Sequence, residues 1–406
     1  MVWVTGLGLV SPHGDDVAQV FAALMRGESA VRPLFPELPK PTAAANVAFE
    51  ASRWFTKLQL AGVDRVSQMA VAAADLAMKD AGAGSGPDAA PAFGLDPERI
   101  GVYVGCGMGG AAALELAYTS GGRVPPLTIP AFMPNAPAAH VAMRQRAQGP
   151  VMTYSVACAS SAVAIAEAAK AVQRDEVDLA IVGGTEALLV PGVVLAWQAM
   201  QTLATFAPGE AAHACRPFAT DRNGLVLGEG AAFMVLESPE RARRRGARAH
   251  AELAGWGLSC DAMHLSKPDA AGQARALRNA LKQAGLQPAD IGYCNAHGTA
   301  TKIGDVVEAD ALRQVWGDAI DTLRVSSTKA LHGHLLGAAG ALEAVITVMA
   351  LKQRQLPPSA HCERIDPACP LNLVSGTGEA APRLDAAITS SFAFGGTNAA
   401  LVFKRA

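Results

Sequence analysis

One pattern occurs twice in this chain, and it limits the possible folds more than any other feature. Residues 153–172 read TYSVACASSAVAIAEAAKAV: a strand-like run, a small polar turn and an alanine-rich helical stretch, with GEGAAFMVLES following at 228–238. Residues 324–351 read RVSSTKALHGHLLGAAGALEAVITVMAL, and GGTNAALVFKRA follows at 395–406. The order is the same in both: strand, polar turn, long apolar helix, then a glycine turn feeding a hydrophobic strand. A unit that cannot bury its own apolar face is stabilised by stacking on its like, so two similar α/β halves packed together are expected. The charged segment ERARRRGARAH (240–250) marks the boundary, giving halves 1–245 and 246–406.

Other runs support the class. RIGVYVG (99–105), PVMTYSVA (150–157) and DLAIVGG (178–184) are short and nearly continuous in apolar residues, as strands covered on both faces are. At 406 residues the chain exceeds what one small core supports. AAPAFGL (89–95) reads as a surface loop.

Composition excludes several partners. There are 34 basic and 36 acidic residues, a net charge of −2, so no global field favours nucleic acid or an anionic membrane. The arginine run after Pro239 lacks interleaved aromatics and reads as a solvated connecting helix. The seven cysteines are scattered, odd in number and without a CxxC pair, which argues against a disulfide framework or structural zinc and for a reducing compartment. MVWVTGLGLVS lacks a basic leader and meets Pro12 and Gly14 early, so it reads as a strand. No apolar run reaches the roughly 18–20 residues of a membrane span. A soluble cytoplasmic protein is expected.

Chemistry concentrates at four turns. Cys158 stands where a strand stops and a helix starts, a place that suits either a buried thiol or a nucleophile whose pKa a helix N-terminus lowers. NAHGTAT (295–301) carries His297, STKALHGHLLGAAGALEA (327–344) carries Lys329, His332 and His334, and SSFAFGGTNAALVF (390–403) carries a glycine pair between Phe394 and a final strand. Strand ends are where open α/β sheets bind ligands, so Cys158, His297 and His334 could converge on one site. A thiol beside two imidazoles suits attack on a carbonyl with hydrogen bonds to a developing enolate or oxyanion. Zinc is disfavoured because no local ligand pair such as HxxxH is present. A cysteine hydrolase using Asn295 or Asn398 would need neither a second histidine nor Lys329.

Taken together, VTGLGLVSPHG (4–14), VGCGMGG (104–110), VACASSA (156–162), VGGTEA (182–187), RPFATDRNGLVLGEGAA (216–232), NAHGTAT, SSTKALHGHLLGAAGALEA and FAFGGTNAALVF resemble the elongating, type II β-ketoacyl-acyl-carrier-protein synthases of the thiolase superfamily. The eight motifs run in order over nearly the whole chain. The resemblance implies a duplicated five-layered α-β-α-β-α fold, a homodimer or a pairing with a related ketosynthase-like subunit, and decarboxylative Claisen condensation of an acyl thioester with a malonyl thioester. It implies no metal or redox cofactor, the substrates being carried on the phosphopantetheine of an acyl carrier protein.

By the same resemblance Cys158 takes the acyl chain, while His297 and His334 assist decarboxylation and hold the enolate. Lys329 orients the site, held by Glu308 in a charge pair, with Asp305 at a second acidic position. The backbone N–H groups of Cys158 and Phe394 form the oxyanion hole, and Phe394 gates the acyl pocket beside Phe392. Thr299 and Thr301 bind the phosphopantetheine arm, and Met108 controls pocket depth. Two departures stand out: Ala393 replaces the usual glycine before Phe394 and restricts the backbone, and His332 is atypical. Arg65 and Arg123 are the basic residues expected to dock the carrier protein. A chain-length-factor-like subunit without activity would normally lack Cys158, and a degradative thiolase would have a second cysteine in the FAFGGTN region, so an active condensing enzyme of fatty acid, polyketide or aryl polyene synthesis is expected.

Overall fold

The computed structural model describes residues 1–84 and 92–406. Its main sheet has ten strands: β1 (Val2–Val10), β2 (Ile100–Gly105), β3 (Val151–Tyr154), β4 (Leu179–Glu186), β5 (Gly230–Glu237), β6 (Ala251–Cys260), β7 (Tyr293–Asn295), β8 (Arg324–Ser326), β9 (Ala386–Phe392) and β10 (Thr397–Lys404). They lie in the order β8-β7-β9-β10-β6-β1-β5-β4-β2-β3. Reading each five from its outer edge gives third, second, fourth, fifth, first on both sides.

Strand directions repeat as well. In the first five, β2 is parallel to β3 and β4, while β5 is antiparallel to β4 and β1. In the second, β7 is parallel to β8 and β9, while β10 is antiparallel to β9 and β6. The two first strands join antiparallel, Val2 opposite Leu253 and Val4 opposite Ala251. All eight residues of β4 are buried, as its unbroken apolar run predicts for a parallel strand with both faces covered.

Helices complete the layers. On one outer face α1 (Arg65–Asp80) lies on β1, β5 and β4; on the other, α3 (Ala270–Ala284) lies on β6 and β10, with α4 (Gly304–Trp316) beside it. Between the two sheet halves run α2 (Ser160–Gln173) and α5 (Ala339–Gln353), in a core drawn from both halves. A Cβ at Gly8 in β1 would stand 2.2 Å from the Ala73 carbonyl of α1, and one at Gly257 in β6 would stand 1.9 Å from the Ala276 carbonyl of α3. Only glycine lets the outer helices approach so closely, and it does so on the same strand of each half.

Three local expectations are corrected. The segment Leu336–Gln353 is 18 residues long with mean hydropathy 1.3, so it does reach the length and composition of a membrane span; it is 89% buried and forms the central helix. A helix apolar all round belongs inside a large core. The arginine run is not simply solvated: Ser238 caps the helix Pro239–Arg244, Arg245 pairs with the fully buried Glu237, and Arg243 lies 4.6 Å from the Trp3 ring centroid. Part of the expected 89–95 loop lies outside the described residues, but Leu95 is buried in the outer core under α1.

Candidate active site

Each half delivers its polar residues from the ends of parallel strands. Cys158 follows β3 in a short turn, Ala157–Ala159, that opens α2; the turn depends on Ala157 at φ +50. In the second half Leu336 at φ +42 stands in the equivalent turn, Leu336–Ala338, that opens α5. His297 follows β7, Lys329 and His334 follow β8, and Phe394 follows β9. Duplication therefore brings residues remote in sequence to one point.

Nε2 of His334 lies 3.0 Å from Sγ of Cys158. Sγ and one ring nitrogen from each of His297 and His334 lie within 4.8 Å of one another, and the two rings meet edge-on with centroids 5.2 Å apart. Nδ1 of His334 accepts the Leu336 backbone N–H at 3.3 Å, while Nδ1 of His297 faces Nζ of Lys329 at 3.4 Å. Both Nδ1 atoms being occupied as acceptors, we assign the proton of each neutral ring to Nε2. Burial, with the Lys329 ammonium next in effect, holds both imidazoles well below their usual pKa. Both rings are therefore neutral donors.

Burial pushes the Cys158 thiol up to about 12, against the lowering by Lys329 and by the backbone N–H groups of Phe394 and Cys158 that reach its sulfur. The expected lowering by the helix terminus does not prevail, because desolvation of a thiolate costs more here. The resting group is a thiol.

The expected Lys329–Glu308 pair is absent. Lys329, fully buried, instead pairs with Glu343 from the second turn of α5. Glu308 accepts the N–H groups of His297 at 2.7 Å and Gly298 at 2.6 Å and the Ser390 hydroxyl at 2.9 Å, so it fixes the His297 loop. Asp305 accepts the Phe218 N–H at 2.7 Å and lies 3.6 Å from Arg222, bracing the 216–222 loop. Of the two histidines in HGH, His332 turns away: Nε2 contacts Thr328 Oγ1 at 3.0 Å and Nδ1 the Gly333 carbonyl at 2.8 Å.

A cavity of about 410 Å³ opens onto Cys158, His297 and His334. Thr299, Thr301, Glu308, Phe392 and Phe394 line it. Phe392 meets the His297 ring edge-on, and Phe394, 37% exposed, stacks on Trp197 at 6.0 Å. Met108 is outside this lining. Arg65 grips Glu229 and the Val47 carbonyl, so it is not the unengaged docking cation the sequence implied; Arg123 is exposed. Lys267 and Lys302, missed in the sequence, are exposed at the cavity.

Neither asparagine orients a histidine: Asn295 contacts Thr328 and the Glu343 carbonyl, and Asn398 donates to Asp261. A hydrolase of the Cys-His-Asn kind is thereby disfavoured. Cys158, His297 and His334 have a metal-ligating composition, yet the Lys329 ammonium against His297 opposes a divalent cation there.

Two fused α/β halves that meet at such a site define a thiolase-like fold. Residues 1–242 match the β-ketoacyl synthase N-terminal domain and residues 250–363 its C-terminal domain. The chain belongs to the β-ketoacyl synthase family. It is 36% identical over 415 residues to 3-oxoacyl-[acyl-carrier-protein] synthase 2 of Staphylococcus aureus, covering 100% of this chain and 98% of the relative. It is 39% identical over 411 residues to nodulation protein E of Rhizobium meliloti, covering 100% and 99%. Among solved structures, the ishigamide ketosynthase/chain length factor superposes with a TM-score of 0.89 at 33% identity, covering 100% and 99%.

Proposed function

We propose that this chain is a 3-oxoacyl-[acyl-carrier-protein] synthase that lengthens an acyl chain on Cys158. The observation that carries the reading is the convergence on the Cys158 sulfur of His334 Nε2 at 3.0 Å and of a His297 ring nitrogen within 4.8 Å, with His334 Nδ1 accepting the Leu336 N–H and His297 Nδ1 facing Lys329. In the first half-reaction Sγ attacks an acyl carrier thioester, and the proton lost by Cys158 is regained by the departing carrier thiolate. In the second, a malonyl thioester loses CO₂, and its enolate oxygen accepts hydrogen bonds from His297 and His334. The enolate carbon then attacks the acyl carbonyl, whose oxyanion is held by the N–H groups of Cys158 and Phe394. Collapse breaks the C–S bond, and Cys158 takes one proton from solvent.

The remaining roles follow from position. Lys329, anchored by Glu343, orients His297; Thr299 and Thr301, with hydroxyls 3.0 Å apart, receive the phosphopantetheine arm; Phe392 and Phe394 form the wall between arm and acyl chain. Lys267 and Lys302 at the cavity are the cations for carrier docking, with Arg123 as a third. The division 1–245 and 246–406 is supported by the repeated strand order. We place the enzyme in the cytoplasm, in keeping with seven unpaired cysteines, six of them buried.

A second subunit is supported by exposed apolar side chains at edge strand β3: Val151 and Met152 on the strand and Met143 on the helix Ala136–Gln145 packed against it are 41%, 45% and 64% exposed. That subunit is a second copy or a related ketosynthase-like chain. The likeness to the ishigamide ketosynthase/chain length factor favours a second reading, a type II polyketide or polyene ketosynthase with a chain-length-factor partner. A non-catalytic subunit does not account for the intact Cys158, His297 and His334.

The test is a condensation assay with acyl and malonyl thioesters of an acyl carrier protein, read by product mass on the carrier. A 3-oxoacyl product two carbons longer supports the reading, and its absence with every chain length, alone or with a chain-length-factor partner, refutes it. Size-exclusion mass measurement of the purified chain separates a homodimer from a heterodimer.

A further inference from the structure

Glu186, the last residue of β4, is fully buried and has no cationic partner among the described residues. Its carboxylate accepts three backbone N–H groups: Gly107 at 2.9 Å, Met108 at 3.1 Å and Gly337 at 3.0 Å. Two of these come from the loop after β2 and one from the turn that opens α5, so a single side chain ties the two halves together beside the active site. A buried carboxylate without a counter-ion is costly; three N–H donors at normal length offset part of that cost, and burial still raises the Glu186 pKa to about 7.

The Gly337 contact matters most. Gly337 holds in the second half the place that Cys158 holds in the first, each directly after the positive-φ residue of its turn. A Cβ at Gly337 would stand 2.4 Å from the Gly107 amide and 2.7 Å from Glu186 Oε2, so the junction admits only glycine. One residue earlier, Leu336 donates its N–H to Nδ1 of His334. Whatever fixes Gly337 therefore fixes the bond that sends the His334 proton to Nε2, toward Cys158.

We propose that Glu186 is a positioning residue for His334: by holding Gly107, Met108 and Gly337 it sets the turn whose Leu336 N–H selects the imidazole tautomer. The inference rests on the condensing-enzyme reading for its consequence in turnover. Glu186→Gln keeps the volume but puts an NH₂ in place of either Oε2, which serves Gly107 and Gly337, or Oε1, which serves Met108, so at least one N–H loses its acceptor and the cradle around the turn loosens. Acyl transfer to Cys158 does not need the His334 proton in the same way as decarboxylation does.

The experiment measures two rates for wild type and E186Q: acylation of Cys158 by intact mass, and CO₂ release from malonyl carrier thioester. The expected result is acylation within about twofold of wild type and decarboxylation reduced on the order of 10²-fold, the cost of a misplacement near 1 Å. Equal loss of both, or loss of neither, overturns the proposal. Glu186→Asp, which keeps the charge and withdraws the oxygens, is read in the same way if E186Q does not fold. A substrate-free measurement separates this inference from the functional reading: in ¹⁵N-histidine-labelled wild-type protein His334 must show the Nε2–H tautomer, and a change toward Nδ1–H in either variant supports Glu186 as its cause. An unchanged His334 tautomer in both variants contradicts it, whatever the chain proves to catalyse.

Discussion

Lys329 and Glu343 form an ion pair in which both side chains are fully buried, Lys329 following β8 and Glu343 standing in the second turn of the central helix α5. The same ammonium faces Nδ1 of His297 at 3.4 Å. One lysine thus does two things: it answers a carboxylate that the core would otherwise leave uncompensated, and it keeps His297 in the tautomer that donates from Nε2.

Glu343→Gln leaves that ammonium without a counter-charge. Removing one member of a buried pair costs about 3–5 kcal/mol, so the urea midpoint should fall markedly at unchanged m-value. Glu308→Gln acts on the His297 loop instead. It disturbs buried backbone donors, at about 1–3 kcal/mol for each left unsatisfied, and should slow decarboxylation more than acylation. A Glu343→Gln protein that keeps the wild-type urea midpoint would contradict the assignment of Lys329 to Glu343.

Acid should weaken the fold through His332. Burial pushes its pKa from 6.5 down to about 3, with Lys329 and His13 adding to the effect. A group whose folded pKa is depressed contributes stability that is present above its unfolded value and lost as pH falls below it. Between pH 7.5 and 5 this amounts to about 2 kcal/mol, the linkage expected for an unfolded pKa of 6.5 and a folded one of about 3. In His332→Gln that share of the acid loss should vanish in urea titrations at pH 7.5 and 5.0; an identical pH dependence in both proteins would show that His332 is not held neutral.

Cys158 should react as a thiol. Its pKa of about 12 means that the thiolate fraction rises about tenfold per pH unit throughout the neutral and mildly basic range. Alkylation by iodoacetamide, followed at the Cys158 peptide from pH 7 to 9.5, should climb without a plateau. A plateau below pH 8 would mean that the helix terminus and Lys329 outweigh burial after all.

These residues also show what a linear reading can reach. The repeat and the strand-end placement of Cys158, His297 and His334 are legible because each is fixed by local pattern: a strand stops, a small residue follows, a helix begins. Glu343 stands inside the legible motif STKALHGHLLGAAGALEA, where a lone acid in an otherwise apolar helix is a strong sign of a buried partner. The resemblance implies Glu308 as the partner of Lys329, yet Glu308 stands in α4 and turns to the His297 loop; the choice between the two acids depends on how deeply α5 sits between the sheet halves, which no spacing reveals. Arg65 looked available for docking for the same reason: Glu229, its partner, is 164 residues away. Glu186 lies in the quoted VGGTEA, but its three donors come from two distant turns that only the packed halves bring together.

The central claim is that Cys158 carries the acyl group while His334 serves the malonyl half-reaction. Intact-mass measurement after incubation with acyl carrier thioester tests it most directly, on wild type, Cys158→Ala and His334→Ala. The account predicts an acyl adduct on wild type and on His334→Ala, none on Cys158→Ala, and a loss of CO₂ release in His334→Ala on the order of 10²-fold or more. An adduct that persists in Cys158→Ala, or one that disappears in folded His334→Ala, would contradict it.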